Sequence, residues 1–185
     1  MRVAVFSGSF DPLHKGHLAI LRSLSSSGAF DCIYLVVSPQ SPFKERERNL
    51  TARERYLAAV EAAGRYPELN VRVDDIELNL PPPDYTIRTL DALQSRERDN
   101  SFTLVIGADN LDSFRRWYAY ERILLEYGVV VYPREGYDID ALRDSLLREN
   151  PAYRIQVVDA PLVVISSTEI REKLSRGIRV TEELM

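Results

Sequence analysis

Apolar positions along the chain fall into short solid runs separated by amphipathic stretches. Residues 2–6 are apolar and β-branched and close on Gly8, which predicts a buried strand. Residues 16–24 carry Leu18, Leu21 and Leu24 at three-residue spacing, with Ala19 and Ile20 widening the face, so a helix is predicted there. Residues 31–37 predict a second strand. Residues 38–49 are polar, hold two prolines and the charge run Lys44-Glu45-Arg46-Glu47-Arg48, and predict a loop. Thr51-Ala52-Arg53-Glu54 has the spacing of a capping box before a helix reaching about residue 65. Residues 71–78 alternate at Val71 and Val73 and then at Ile76 and Leu78, an irregular strand, and Pro81-Pro82-Pro83 forbids a regular element after it. Helices are then predicted at 86–96, 117–126, 139–147 and 167–174, and strands at 102–106, 128–132 and 154–158. About five β/α units imply a single α/β domain over residues 1–185, with a parallel sheet covered by helices on both faces. Ligands then bind at the carboxyl ends of the strands.

Composition narrows the field of functions. Hydrophobic residues make up 45% of the 185, enough for a packed core. Net charge is −4 with both signs mixed along the chain, which argues against a nucleic-acid partner. The one cysteine, Cys32, excludes a disulfide framework within the chain and a cysteine zinc cluster, and is expected as a buried structural thiol. No apolar run is long enough to span a membrane, and the N-terminus lacks signal-peptide architecture, so a cytoplasmic location is expected. Homo-oligomerisation stays open.

Two stretches concentrate chemistry. After the first strand comes Ser7-Gly8-Ser9-Phe10-Asp11-Pro12-Leu13-His14-Lys15-Gly16-His17. Gly8 permits a tight turn and close ligand approach, Pro12 delays the helix, and Gly16 sits near the helix start, a natural anion site. His14 and His17 are the only histidines, and their spacing faces them the same way if the helix begins there. Either they form a phosphate cradle or they are two surface histidines close by chance; a zinc site is weaker, for want of a third ligand. Near the other end, Ile165-Ser166-Ser167-Thr168-Glu169-Ile170-Arg171 combines a capping box at Ser166 and Glu169 with an arginine one turn on, suited to a two-pronged grip on phosphate. A plainly capped helix with a surface arginine is the alternative. Gly107-Ala108-Asp109 follows a strand; Asp109 suits ribose hydroxyls or a helix N-cap.

The first stretch resembles the nucleotidyltransferase superfamily whose signature is (T/H)xGH after a Gly-x-Phe-(Asp/Asn)-Pro loop, and the second matches that superfamily's Ile-Ser-Ser-Thr-x-Ile-Arg motif at every fixed position. The resemblance implies the Rossmann-like nucleotidyltransferase fold. It assigns His14, His17 and Arg171 to catalysis, with His17 at the α-phosphate. ATP binding falls on Gly8, Ser9, Phe10, Gly16, Gly107, Asp109, Ile165, Ser166, Ser167 and Thr168.

In order, Lys44, Tyr85-Thr86, Gly107-Ala108-Asp109, Trp117, Pro133-Arg134 and Ser166-Ser167-Thr168 also resemble the bacterial nicotinate-nucleotide adenylyltransferases over most of the chain. That similarity implies transfer of the adenylyl group of ATP to nicotinate mononucleotide, with Mg²⁺ on the triphosphate. It gives Lys44, Tyr85, Thr86, Trp117 and Arg134 to the acceptor; core packing is the plainer expectation for Trp117. The lysine loop departs from the family's Pro-Pro-His-Lys, reading Ser41-Pro42-Phe43-Lys44. A phosphopantetheine adenylyltransferase, a cytidylyltransferase, a nicotinamide-preferring enzyme and a non-catalytic nucleotide sensor are the rival readings. A class I aminoacyl-tRNA synthetase shares the histidine logic, but the chain is short and lacks a basic tRNA-binding region.

Overall fold

A computed structural model describes residues 1–39, 51–162 and 165–185. Six strands form one sheet: β1 (Arg2–Gly8), β2 (Cys32–Val37), β3 (Val71–Asp74), β4 (Ser101–Gly107), β5 (Val129–Tyr132) and β6 (Ile155–Val157). Their order is β3-β2-β1-β4-β5-β6, with every neighbouring pair parallel. The order reverses between β1 and β4, so the two chains leaving those strands diverge and open a crevice at their carboxyl ends. The solid apolar runs of β1, β2 and β5 follow from burial on both faces.

Eight helices surround the sheet among the described residues: α1 (Lys15–Ser26), α2 (Ala52–Gly64), α3 (Ile76–Asn79), α4 (Thr86–Arg96), α5 (Ala108–Asp112), α6 (Tyr120–Arg122), α7 (Ile139–Glu149) and α8 (Ser167–Ser175). Strand alternation sends Val3, Val5, Tyr34 and Val36 to one face, where Ile87, Leu90 and Leu93 of α4 cover them. Ala4, Phe6, Ile33 and Leu35 go to the other, under Leu18, Leu21 and Leu24 of α1 and Ala59 and Ala62 of α2. Leu21 and Leu24 lose all solvent contact, which stabilises the fold by about 1.5–3 kcal/mol each.

Four expectations need correction. The strand expected at 71–78 stops at Asp74, whose buried carboxylate accepts the Ile76 N–H at 3.0 Å and turns the chain into α3. The helix expected at 117–126 starts later. Trp117 is extended and Ala119 is left-handed at φ 56°; α6 begins at Tyr120 and continues into a π-helical turn, Ile123–Tyr127. Asp109 is not an N-cap: Gly107 holds that place, and Asp109 lies inside α5. Cys32 is half-buried rather than enclosed, its thiol donating to the Asn70 carbonyl at 3.2 Å. Lys44 and most of the expected 38–49 loop lie outside the described residues.

The chain's last residues return to α1. Leu184 pairs antiparallel with His14, the Lys15 N–H donates to the Glu183 carbonyl at 2.9 Å, and Met185 is buried in the core. Among the described residues no helix is long and apolar enough to cross a membrane.

Candidate active site

The crevice is built from the ends of β1, β4 and β5 and the first turns of α1 and α8. His14 is the N-cap of α1 and His17 its third residue. The Gly16 N–H donates to His14 Nδ1 at 3.1 Å and the His14 N–H donates to His17 Nδ1 at 3.2 Å, a capping box made by two imidazoles. An Nδ1 that accepts carries no proton, so each neutral ring holds its proton on Nε2 and has one N–H to donate. The rings lie 3.8 Å apart, and His17 also packs against Phe6 and Phe10. Burial pushes His14 down to about 4, helped by the Arg134 charge. His17 is lowered well below its ordinary value by burial, then by His14 and Arg134. At neutral pH the pair is a neutral double donor.

The loop before it is shaped to fit. A Cβ on Gly16 would stand 2.9 Å from the His14 ring, and one on Gly8 would stand 3.1 Å from the Phe10 ring. Phe10 is buried at φ 45°, a strained conformation for an aromatic residue that persists only because its surroundings fix it. Ser9 is exposed at the tip.

α8 docks on this loop. Ser166 caps it, accepting the Glu169 N–H while the Glu169 carboxylate accepts the Ser166 N–H. Ser167 Oγ donates to the Pro12 carbonyl at 3.2 Å. Arg171 donates through Nη1 to the Asp11 carbonyl at 2.7 Å and through Nη2 to Thr168 Oγ1 at 3.1 Å. The arginine thus ties the two motifs together, with its remaining N–H groups uncommitted among the described residues.

On the other side, Gly107 pairs with Tyr132 across β4 and β5, and a Cβ there would meet Asp109 Oδ1 at 2.4 Å. That oxygen is buried with no hydrogen-bond partner among the described residues; Arg134 Nε, 3.5 Å away, makes an ion contact without hydrogen-bond geometry. The Arg134 guanidinium lies over the Tyr132 ring, 5.3 Å from its centre. A cleft of about 310 Å³ runs between Asp109, Arg134, Ile165 and Ser166. A recess of about 30 Å³ beside it is lined by His14, Gly16 and His17 and shares Pro133, Arg134 and Ile165 with the cleft.

The residues expected for the acceptor form a separate group. Tyr85 precedes α4, Thr86 opens it, and the Tyr85 ring stacks on Tyr118 at 4.4 Å, both exposed. Trp117 packs half-buried against Phe114 at 4.9 Å, the plainer of its two expectations. Arg134, expected with this group, lines the cleft beside Asp109 instead.

Two contributors escaped sequence reasoning. Arg55 of α2 is 1% exposed and donates through its two terminal nitrogens to the carbonyls of Ser9 and Ser38, pinning the loop after β1 to the end of β2. Its signal was present: Arg55 occupies an apolar position in the stripe completed by Ala59, Ala62 and Ala63. Glu77 is the other: its carboxylate accepts from Ser7 Oγ at the end of β1 and from Thr89 Oγ1 of α4, and no sequence pattern marks it.

Paired imidazole donors at one helix start, a capped serine-rich start facing them, and glycines where side chains would collide are the kind of chemistry that suits a phosphate-bearing ligand. Comparison with known proteins agrees. The cytidylyltransferase-like family matches residues 5–173, and the chain belongs to that class of nucleotidyltransferases. Among curated relatives, a probable nicotinate-nucleotide adenylyltransferase of Cytophaga hutchinsonii is 39% identical, covering 97% of this chain and 90% of its own. That of Bacteroides fragilis is 41% identical over 95% and 83%. Within the class, the chain therefore belongs to the nicotinate-nucleotide adenylyltransferase family. A solved Plasmodium falciparum nicotinic acid mononucleotide adenylyltransferase complexed with NaAD shares the fold, with a TM-score of 0.78, 19% identity and coverage of 96% of this chain and 86% of that one.

Proposed function

We propose that this protein transfers the adenylyl group of ATP to nicotinate mononucleotide, releasing pyrophosphate and forming nicotinate adenine dinucleotide in NAD biosynthesis. The observation that carries the reading is the pair of neutral imidazoles, each with Nδ1 spent on the α1 cap and one Nε2–H left to donate. An oxygen of the acceptor's 5′-phosphate attacks the α-phosphorus in line. The bond from that phosphorus to the α–β bridging oxygen breaks, and its electron pair leaves with pyrophosphate. The attacking monoester is already largely ionised at neutral pH, so no base is needed. His17 and His14 donate to oxygens around the α-phosphate, and the start of α8 and Arg171 hold the outer phosphates.

Asp109 and Arg134 flank the adenosine, the unpartnered Asp109 oxygen accepting from ribose. Tyr85, Thr86 and Trp117 bound the pyridine end, and Lys44 holds the acceptor phosphate. Mg²⁺ would arrive with the triphosphate, held mostly by phosphate oxygens and water. Bound there, it would supply charge neutralisation on the phosphates, while the protein's own donors hold and align them.

The test incubates the protein with Mg-ATP and, separately, nicotinate mononucleotide, nicotinamide mononucleotide and phosphopantetheine, following pyrophosphate and product by chromatography. Turnover should strongly prefer the first. Preference for either of the others rejects the assigned acceptor. ATP binding without pyrophosphate release rejects the enzyme reading in favour of a sensor.

A further inference from the structure

On the sheet face covered by α4, the alternation of β1 runs from buried Val3 and Val5 to half-buried Ser7, and that of β2 from buried Tyr34 and Val36 to half-buried Ser38, just past the strand. At the carboxyl ends of both strands, hydroxyls replace apolar side chains. One carboxylate gathers them. Glu77 of α3 accepts from Ser7 Oγ at 2.8 Å and from Thr89 Oγ1 at 3.0 Å, and Ser7 Oγ lies 2.9 Å from Ser38 Oγ. Ser7 has one hydroxyl proton, spent on Glu77, so Ser38 is the donor to Ser7. The network thus runs from the end of β2, through the end of β1, to a carboxylate that also grips the first turns of α4. Thr89 is 3% exposed and stands one turn beyond Thr86.

We propose that Glu77 is a positioning residue for the acceptor, fixing the start of α4, with Tyr85 and Thr86, against the loop that leaves β1. The inference rests on the acceptor pocket proposed above. The ATP side is anchored independently, by the imidazole cap, by Ser167 on Pro12 and by Arg171 on Asp11. Loosening α4 therefore degrades capture and alignment of the acceptor and leaves the grip on ATP intact. A residue needed only for stability would shift melting without separating the two substrates.

The experiment measures steady-state kinetics of the wild type, Glu77→Ala, Glu77→Gln and Thr89→Val, varying nicotinate mononucleotide and Mg-ATP separately, with thermal melts alongside. Glu77→Ala should raise the KM for the acceptor on the order of tenfold to a hundredfold, leave that for ATP unmoved and lower kcat, as misalignment of one substrate predicts. Glu77→Gln, which keeps a carbonyl acceptor in the same place, should recover most of the loss. Thr89→Val should shift the acceptor KM in the same direction by less. The proposal is overturned if Glu77→Ala raises both KM values alike, or lowers the melting temperature with the acceptor KM unchanged. Should Glu77→Ala fail to fold, an unchanged acceptor KM in Thr89→Val overturns it equally. A wild type without turnover on nicotinate mononucleotide rejects the function and this inference together; an active wild type with indifferent variants rejects this inference alone.

Discussion

Acidification should destabilise this protein through its two histidines before its carboxylates take part. His14 titrates at an ordinary value near 6.5 in the unfolded chain and at about 4 in the folded one, because it is buried and faces Arg134. Between those values the unfolded chain binds more protons, so stability is complete above about 6.5 and is lost as pH falls towards 4. At pH 5 the gap is 1.5 units on the unfolded side, and at 1.36 kcal/mol per unit His14 alone removes about 2 kcal/mol. His17 is lowered too and adds loss in the same direction. Against a typical total of about 5–15 kcal/mol this is a large share. The cause is local: the charged ring would be buried beside Arg134, and a proton on Nδ1 would also remove an acceptor of the α1 cap. The chain has no third histidine to confuse the signal. Urea unfolding followed by circular dichroism at pH 7 and pH 5 measures it. In His14→Asn, which can still accept the Gly16 N–H but does not titrate, the pH-dependent loss should shrink by about 2 kcal/mol. A wild type that loses under about 1 kcal/mol between these pH values, or a variant with the full wild-type loss, would refute buried neutral imidazoles.

Three further outcomes follow from contacts at the crevice. His17→Ala should cost about 3–4 kcal/mol in the barrier, a drop in kcat with little change in either KM; near-normal turnover would remove His17 from the reaction. Gly16→Ala, whose Cβ would stand 2.9 Å from the His14 ring, should displace that ring and lower kcat/KM on the order of a hundredfold, checked by initial rates on a variant whose circular dichroism matches wild type. Arg55→Lys should reach only one of the two carbonyls now held, costing about 1–3 kcal/mol in urea unfolding and reducing kcat/KM; unaltered stability would show that the fork on Ser9 and Ser38 is dispensable.

Sequence and structure agree where one local force decides the outcome. The three-residue spacing of Leu18, Leu21 and Leu24 and of Ile87, Leu90 and Leu93 gave α1 and α4, since burial of one stripe is enough to make a helix. The capping boxes at Thr51 and Ser166 are present bond for bond. The gathering of His14, His17, Ile165 and Ser166 around one crevice was legible as separate motifs, because strand ends in a parallel sheet collect at one edge. Agreement fails where backbone conformation departs from the local pattern. Nothing in Trp117-Tyr118-Ala119 announces a left-handed alanine, so pattern alone carries the helix of 117–126 back to Trp117. Likewise, the turn at Asp74 depends on its carboxylate accepting the backbone N–H two residues on, which periodicity cannot see.

The misses at the site share a different origin. Arg55 sits where the α2 stripe calls for an apolar residue, Ser7 and Ser38 where the strand alternation does, and Thr89 is buried between Ile87 and Leu90. A hydrophobic pattern discards each of these as a blemish in an otherwise good element. A folded chain retains a buried polar group only if its bonds are made; buried Arg55 and Thr89 and half-buried Ser7 and Ser38 are each bonded to the end of β1, the end of β2 or the carboxylate joining them. Two layers, α2 on one face and α3 with α4 on the other, thus grip the same two strand ends from opposite sides. A polar residue in core register near a strand's carboxyl end is therefore a readable sign in its own right. It marks the backbone that must not move when two phosphates are brought into line.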